Sequence, residues 1–130
     1  MLDVTGPVAR VDATPEAVAL IDQLVSMHGP VLFHQSGGCC DGSAPMCYPR
    51  DEFMIGDSDV FLGTLPDSTS TPFYIWHPQW EYWSHTHLTV DVVPGRGGGF
   101  SLEAPEGVRF IIRSRLFTDA ESEAMAATLT

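Results

Sequence analysis

The sequence predicts a mainly β domain of the α+β class. The expected form is a compact, partly barrel-like sheet with an N-terminal helix and a short C-terminal helix. Three observations carry this. Ala17, Val18, Ile21, Leu24 and Val25 make one apolar stripe at helical spacing. Most of the remaining chain falls into short apolar runs, several of them alternating with period two, as in Leu88, Val90 and Val92. A regular βαβ alternation is absent, which argues against a Rossmann-type sheet. With 130 residues, the chain is expected to be a single domain spanning 1–130.

Residues 1–13 read as an extended lead-in. Thr14-Pro15-Glu16 then opens a helix, with Thr14 as N-cap and Pro15 at the first helical position. Gly29-Pro30 stops it. Val31–His34 is the first core strand. Phe53-Met54-Ile55 is a short apolar piece, Asp57-Ser58-Asp59 a turn, and Val60–Leu62 the next strand. Gly63 to Thr71 is a loop rich in Ser, Thr, Pro and Asp. Phe73–Trp76 is a strand that His77-Pro78 breaks, because proline removes a ladder donor.

Tyr82 to Val93 reads as mostly β, with Leu88, Val90 and Val92 on one face and His87, Thr89, Asp91 and Val93 on the other. Pro94 to Gly99 is a loop; it opens no helix, so its glycines fail the test for a dinucleotide site. Phe100–Glu103 is a further strand, ended by Pro105-Glu106-Gly107. Val108–Leu116 is the longest strand, with Val108, Phe110, Ile112 and Leu116 pointing one way and Arg109, Arg113 and Arg115 the other. Thr118-Asp119-Ala120-Glu121 is a capping box for the last helix. These strands are expected to form one sheet system against which the Ala17–Val25 stripe packs.

The formal net charge is −11, with six arginines and no lysine, so nucleic acid is not an expected partner. No apolar run reaches the roughly 18 residues of a membrane span. Residues 1–7 have neither a basic start nor an apolar h-region, so a cytoplasmic protein is expected. Reduced thiols are expected there, which favours metal or redox roles over a structural bridge.

Chemistry concentrates in His34-Gln35-Ser36-Gly37-Gly38-Cys39-Cys40-Asp41-Gly42, continued to Cys47. All three cysteines lie in this stretch. Cys39, Cys40 and Cys47, with His34, are candidate ligands for a metal ion or an iron–sulfur cluster. The alternative is a tight turn with small buried cysteines. The spacing Cys-Cys-x₆-Cys matches no standard zinc knuckle, so it names no metal.

His85-Thr86-His87 is a second candidate. On a strand the two rings share a face, about 7 Å apart at the backbone, and Asp91 lies on that face as a third ligand. Two hydrogen-bonded or solvated histidines are the plainer reading. Trp76, Trp80 and Trp83 form a third group, readable as core wall or as partner surface. There is no Gly-x-Ser-x-Gly elbow to support a serine hydrolase.

Three segments carry a resemblance. They are His34 to Ser43, Gly56-Asp57-Ser58-Asp59-Val60, and Asp91-Val92-Val93-Pro94-Gly95-Arg96-Gly97. Across His34 to Thr118 the chain closely resembles an uncharacterised bacterial family of small proteins. Genes of that family often lie beside NAD-dependent aldehyde dehydrogenase genes, which implies a shared pathway. The chain also resembles the HesB/IscA-type iron–sulfur assembly proteins. The matching parts are the leading helix, Gly37-Gly38-Cys39-Cys40-Asp41-Gly42, Asp59-Val60-Phe61, Val90-Asp91-Val92, and Gly98 to Pro105. That likeness implies a HesB-like fold. The assembly proteins end in a Cys-Gly-Cys pair, where this chain has Val108 to Leu116 and no cysteine.

Three functions are therefore weighed. The first is a small accessory protein of aldehyde metabolism, not itself an enzyme, with a metal or cluster at the cysteine loop. The second is a cupin-like metalloenzyme using His85, His87 and Asp91. The third is an aldehyde dehydrogenase interaction module with structural cysteines. A homo-oligomer is left open.

Overall fold

The computed structural model describes residues 2–6, 8–35, 43–66, 69–95 and 101–128. The strands are β1 (Leu2–Asp3), β2 (Val11–Ala13), β3 (Val31–Gln35), β4 (Met46–Pro49), β5 (Asp59–Thr64), β6 (Pro72–Trp76), β7 (Thr86–Pro94) and β8 (Val108–Leu116). The helices are α1 (Pro15–His28), α2 (His77–Trp83) and α3 (Asp119–Thr128), with a 3₁₀ turn at Ala104–Glu106. The fold is mainly sheet and of the α+β class, as expected.

The strands make two sheets where one system was expected. One sheet has the order β1-β5-β6-β3-β4 and the other β2-β7-β8. Both are mixed: β3 runs parallel to β6 and antiparallel to β4, and β7 runs parallel to β2 and antiparallel to β8. They do not close into a barrel among the described residues.

A single apolar cluster draws on both sheets and on α1. Phe33 lies 6.0 Å from Phe73 in its own sheet and 4.8 Å, edge-on, from Phe110 of the other. All three are fully buried, so the aromatic contact ties the sheets together. Ala17, Ile21 and Leu24 of α1 are buried beside them. Thr14 caps that helix, its hydroxyl oxygen accepting from the Ala17 amide at 3.2 Å. The same hydroxyl donates to Asp91 Oδ1 at 3.0 Å, and Arg113 grips Asp91 Oδ2 at 2.6 Å. The Arg113 hydrogen bond holds the Asp91 carboxyl below its ordinary range, against a smaller opposing effect of desolvation. Gly29, at φ +83°, stops α1 while its amide donates to the Val25 carbonyl.

Other departures have local causes. His77-Pro78 ends β6 as expected, but proline in a first helical turn is tolerated, and the chain continues as α2. Tyr82 and Trp83 are therefore helical. The segment read as strand Phe100–Glu103 is turn over Ser101–Glu103, followed by the 3₁₀ turn; Phe100 lies outside the described residues. Met46–Pro49 adds a strand that its proline and short apolar content had hidden. Leu116, expected on one face with Phe110, is exposed, whereas Phe110 is fully buried. No described helix is long and apolar enough to cross a membrane.

Candidate functional site

The registers place two rows of side chains on the face of the larger sheet turned away from the core. His34 stands beside Tyr74, and Tyr74 beside Phe61; two residues further along, Trp76 stands beside Asp59. β6 lies between β3 and β5, so His34 and Asp59 are separated by about 10 Å of sheet width. Their side chains reach diagonally over β6, between Tyr74 and Trp76, and meet at 2.6 Å from His34 Nε2 to Asp59 Oδ1. Both residues are buried.

Asp59 is itself held. Its Oδ2 accepts from the Gly56 amide at 2.8 Å, and its own amide donates to the Gly56 carbonyl at 3.2 Å. The Gly56–Asp59 turn thus presents the carboxylate to β3. A ring wall completes the setting. Phe53 lies 4.9 Å from the His34 ring, and Tyr48 stacks on Phe53 at 4.8 Å. Trp76, at the rim of this face, remains 43% exposed.

An ionised carboxylate can only accept, so Nε2 carries the proton in this pair. That bond fixes the ring's orientation and which of its nitrogens carries the proton. A carboxylate-held histidine of this kind serves chemically as a metal ligand or a general base. β3 ends at Gln35, one residue past His34, and the described chain resumes at Ser43. Cys39 and Cys40 belong to the intervening stretch and lie outside the described residues.

Cys47 is placed differently. It pairs with Phe33, not His34, so its side chain stands on the core face of the sheet, where it is fully buried. His34 and Cys47 therefore face opposite ways. Among the described residues, no three His, Cys, Asp or Glu side chains gather as a metal-holding group.

That finding covers His85, His87 and Asp91, all described. His85 sits in the turn before β7 and is exposed, while His87 is buried on the strand. Asp91 is engaged by Thr14 and Arg113. Burial first, and then Arg115, lower the pKa of His87, and its Nδ1 has no hydrogen-bond partner. The tryptophans separate as well. Trp83 is core, Trp80 packs against the core beneath the Arg10 guanidinium at 4.8 Å, and Trp76 is exposed.

Sequence reasoning placed His34 in the site but read Asp59 as turn and as part of two family motifs, with no partner assigned to it. The signal available was the carboxylate heading a strand after Gly56-Asp57-Ser58, which names no partner by itself.

One protein-family model, described as Domain of unknown function (DUF779), matches residues 20–116, more than half of the chain. No curated protein and no solved structure matches it.

Proposed function

We propose that this chain, which belongs to the DUF779 family, is a small cytoplasmic accessory protein that holds a soft metal ion or an iron–sulfur cluster with His34, Cys39 and Cys40. The observation that carries the reading is the Asp59 carboxylate clamping His34 at the root of the cysteine stretch. Ligating histidines characteristically give their second ring nitrogen to such a carboxylate. Adjacent thiols a few residues away supply soft ligands of the kind zinc, iron and copper(I) take. Cys47, on the opposite face of the sheet, serves the core in this account. An aldehyde dehydrogenase is the proposed partner, following the gene neighbourhood that the family resemblance implies. The exposed Trp76, beside Asp59 of the clamp, is the contact proposed for it.

The test is elemental analysis and an absorption spectrum of protein purified without oxygen. Stoichiometric metal is expected in the wild type. Cys39→Ser should lower it strongly, and His28→Gln, at the end of α1, should not. Sub-stoichiometric metal that no cysteine substitution changes would end the proposal.

A further inference from the structure

Glu103 is 1% exposed, and its Oε1 has no hydrogen-bond partner. Its Oε2 accepts from the Phe110 amide of β8 at 3.3 Å. The residues around it stitch the two sheets together. Ser101 Oγ accepts from the Cys47 amide at 2.9 Å, the Leu102 amide donates to the Cys47 carbonyl at 3.0 Å, and the Ile112 amide donates to the Ser43 carbonyl at 2.7 Å. β4 belongs to one sheet and β8 to the other, so segment 101–107 is the bridge between them. Glu103 is the only buried carboxylate in that described bridge, and one of its two oxygens has no hydrogen-bond partner.

A neutral carboxyl tolerates that environment far better than an ionised one. The titratable and charged groups on the elements packed around it offer no compensation. Cys47 of β4 is a buried thiol, and Glu106 of the 3₁₀ turn is exposed. Arg109, Arg113 and Arg115 leave β8 from the face opposite Phe110, as His87 and Asp91 leave β7 opposite Leu88 and Val90. Tyr48 and His34 project from the far face of their sheet.

We propose that Glu103 is a proton-controlled latch between the two sheets, closed when its carboxyl is neutral and loosened when it ionises. Loosening means that the ionised carboxylate leaves its buried site for water, and with it go the bond from the Phe110 amide and the Ser101–Cys47 and Leu102–Cys47 bonds, at the point where the chain returns from the cysteine stretch. Burial raises the Glu103 pKa above its ordinary 4.5, outweighing the hydrogen bonds from Ser101 and from the Glu103 and Phe110 backbone, which favour the ionised form. The sign follows. A carboxyl with a raised folded pKa contributes stability that is complete below 4.5 and is lost as pH climbs through the folded value.

The experiment is amide hydrogen exchange on the full chain from about pH 4 to about pH 8, each rate corrected for intrinsic exchange. Protection at Cys47, Leu102 and Phe110 should fall as pH rises, by about tenfold for each unit by which the folded pKa is raised. The α1 amides of Leu24 and Val25 should stay level. In Glu103→Gln, which cannot ionise, the three bridge amides should hold level too. A level wild-type profile, or the same fall in Glu103→Gln, overturns the latch. Should that variant not fold, carbon-13 titration of the wild-type Glu103 carboxyl decides the matter. A midpoint above 4.5 that coincides with the loss of protection supports the latch, and a midpoint at or below it, or one displaced from that loss, overturns it.

Discussion

A carboxylate that grips one nitrogen of a histidine governs how the whole ring can act. Asp59 does this to His34, and the Gly56 amide fixes Asp59 in turn, so the orientation is set by two successive hydrogen bonds. Residue-level contacts also separate the tryptophans. Trp80 lies under Arg10 and against the core, so Trp80→Ala should lower thermal stability. Trp76 is exposed, so Trp76→Ala should leave the melting curve near the wild type while weakening association with an aldehyde dehydrogenase in co-elution. The opposite pattern, with Trp76 needed for folding and Trp80 for association, would contradict this assignment. At this scale the sequence was legible for His34 and silent on its partner. Asp59 and His34 are 25 positions apart, and only the strand order β5-β6-β3 brings them together.

Elements were legible where their signals are local. α1 carries its own cap, first-turn proline, apolar stripe and stop glycine, and it begins and ends where these place it. Thr14 does double duty, capping α1 and donating to Asp91 across to β7. Thr14→Ala should therefore cost about 1–2 kcal/mol, read as a lower urea midpoint with an unchanged slope. An unchanged midpoint would show that the cap contributes nothing. α2 was missed because His77-Pro78 carries two meanings, strand end and helix start, and only the second turn of the chain decides between them. β4 was missed because a four-residue strand gains its stability from β3 alongside it and not from its own pattern. Pairing across long sequence separations also decided that β7 and β8 would form a sheet with β2, apart from β3 and β6.

For the whole molecule, the two sheets share one core, and the central ring of the second sheet is Phe110. Its fully buried side chain meets Phe33 edge-on, so Phe110→Ala should cost about 3–5 kcal/mol. Against a typical stability of ~5–15 kcal/mol, that is enough to lower the melting temperature substantially or to leave much of the chain unfolded. A variant that melts with the wild type would place this ring outside the core. The same architecture turns His34 away from Cys47, which is why the proposed site draws on the thiols of the stretch that follows β3.

The most direct measurement of that claim is a cobalt(II) titration of reduced protein, followed by absorption, in the wild type, Asp59→Asn and Asp57→Asn. Cobalt bound by thiolate and imidazole reports its ligands through its charge-transfer and ligand-field bands. If Asp59 orients His34 toward a metal, Asp59→Asn should weaken binding by about 10–100-fold, the usual cost of losing an outer-shell partner of a ligand. Asp57→Asn, in the same turn but exposed, should bind as the wild type does. Equal cobalt affinity in all three proteins, or no thiolate band in any of them, would contradict the account.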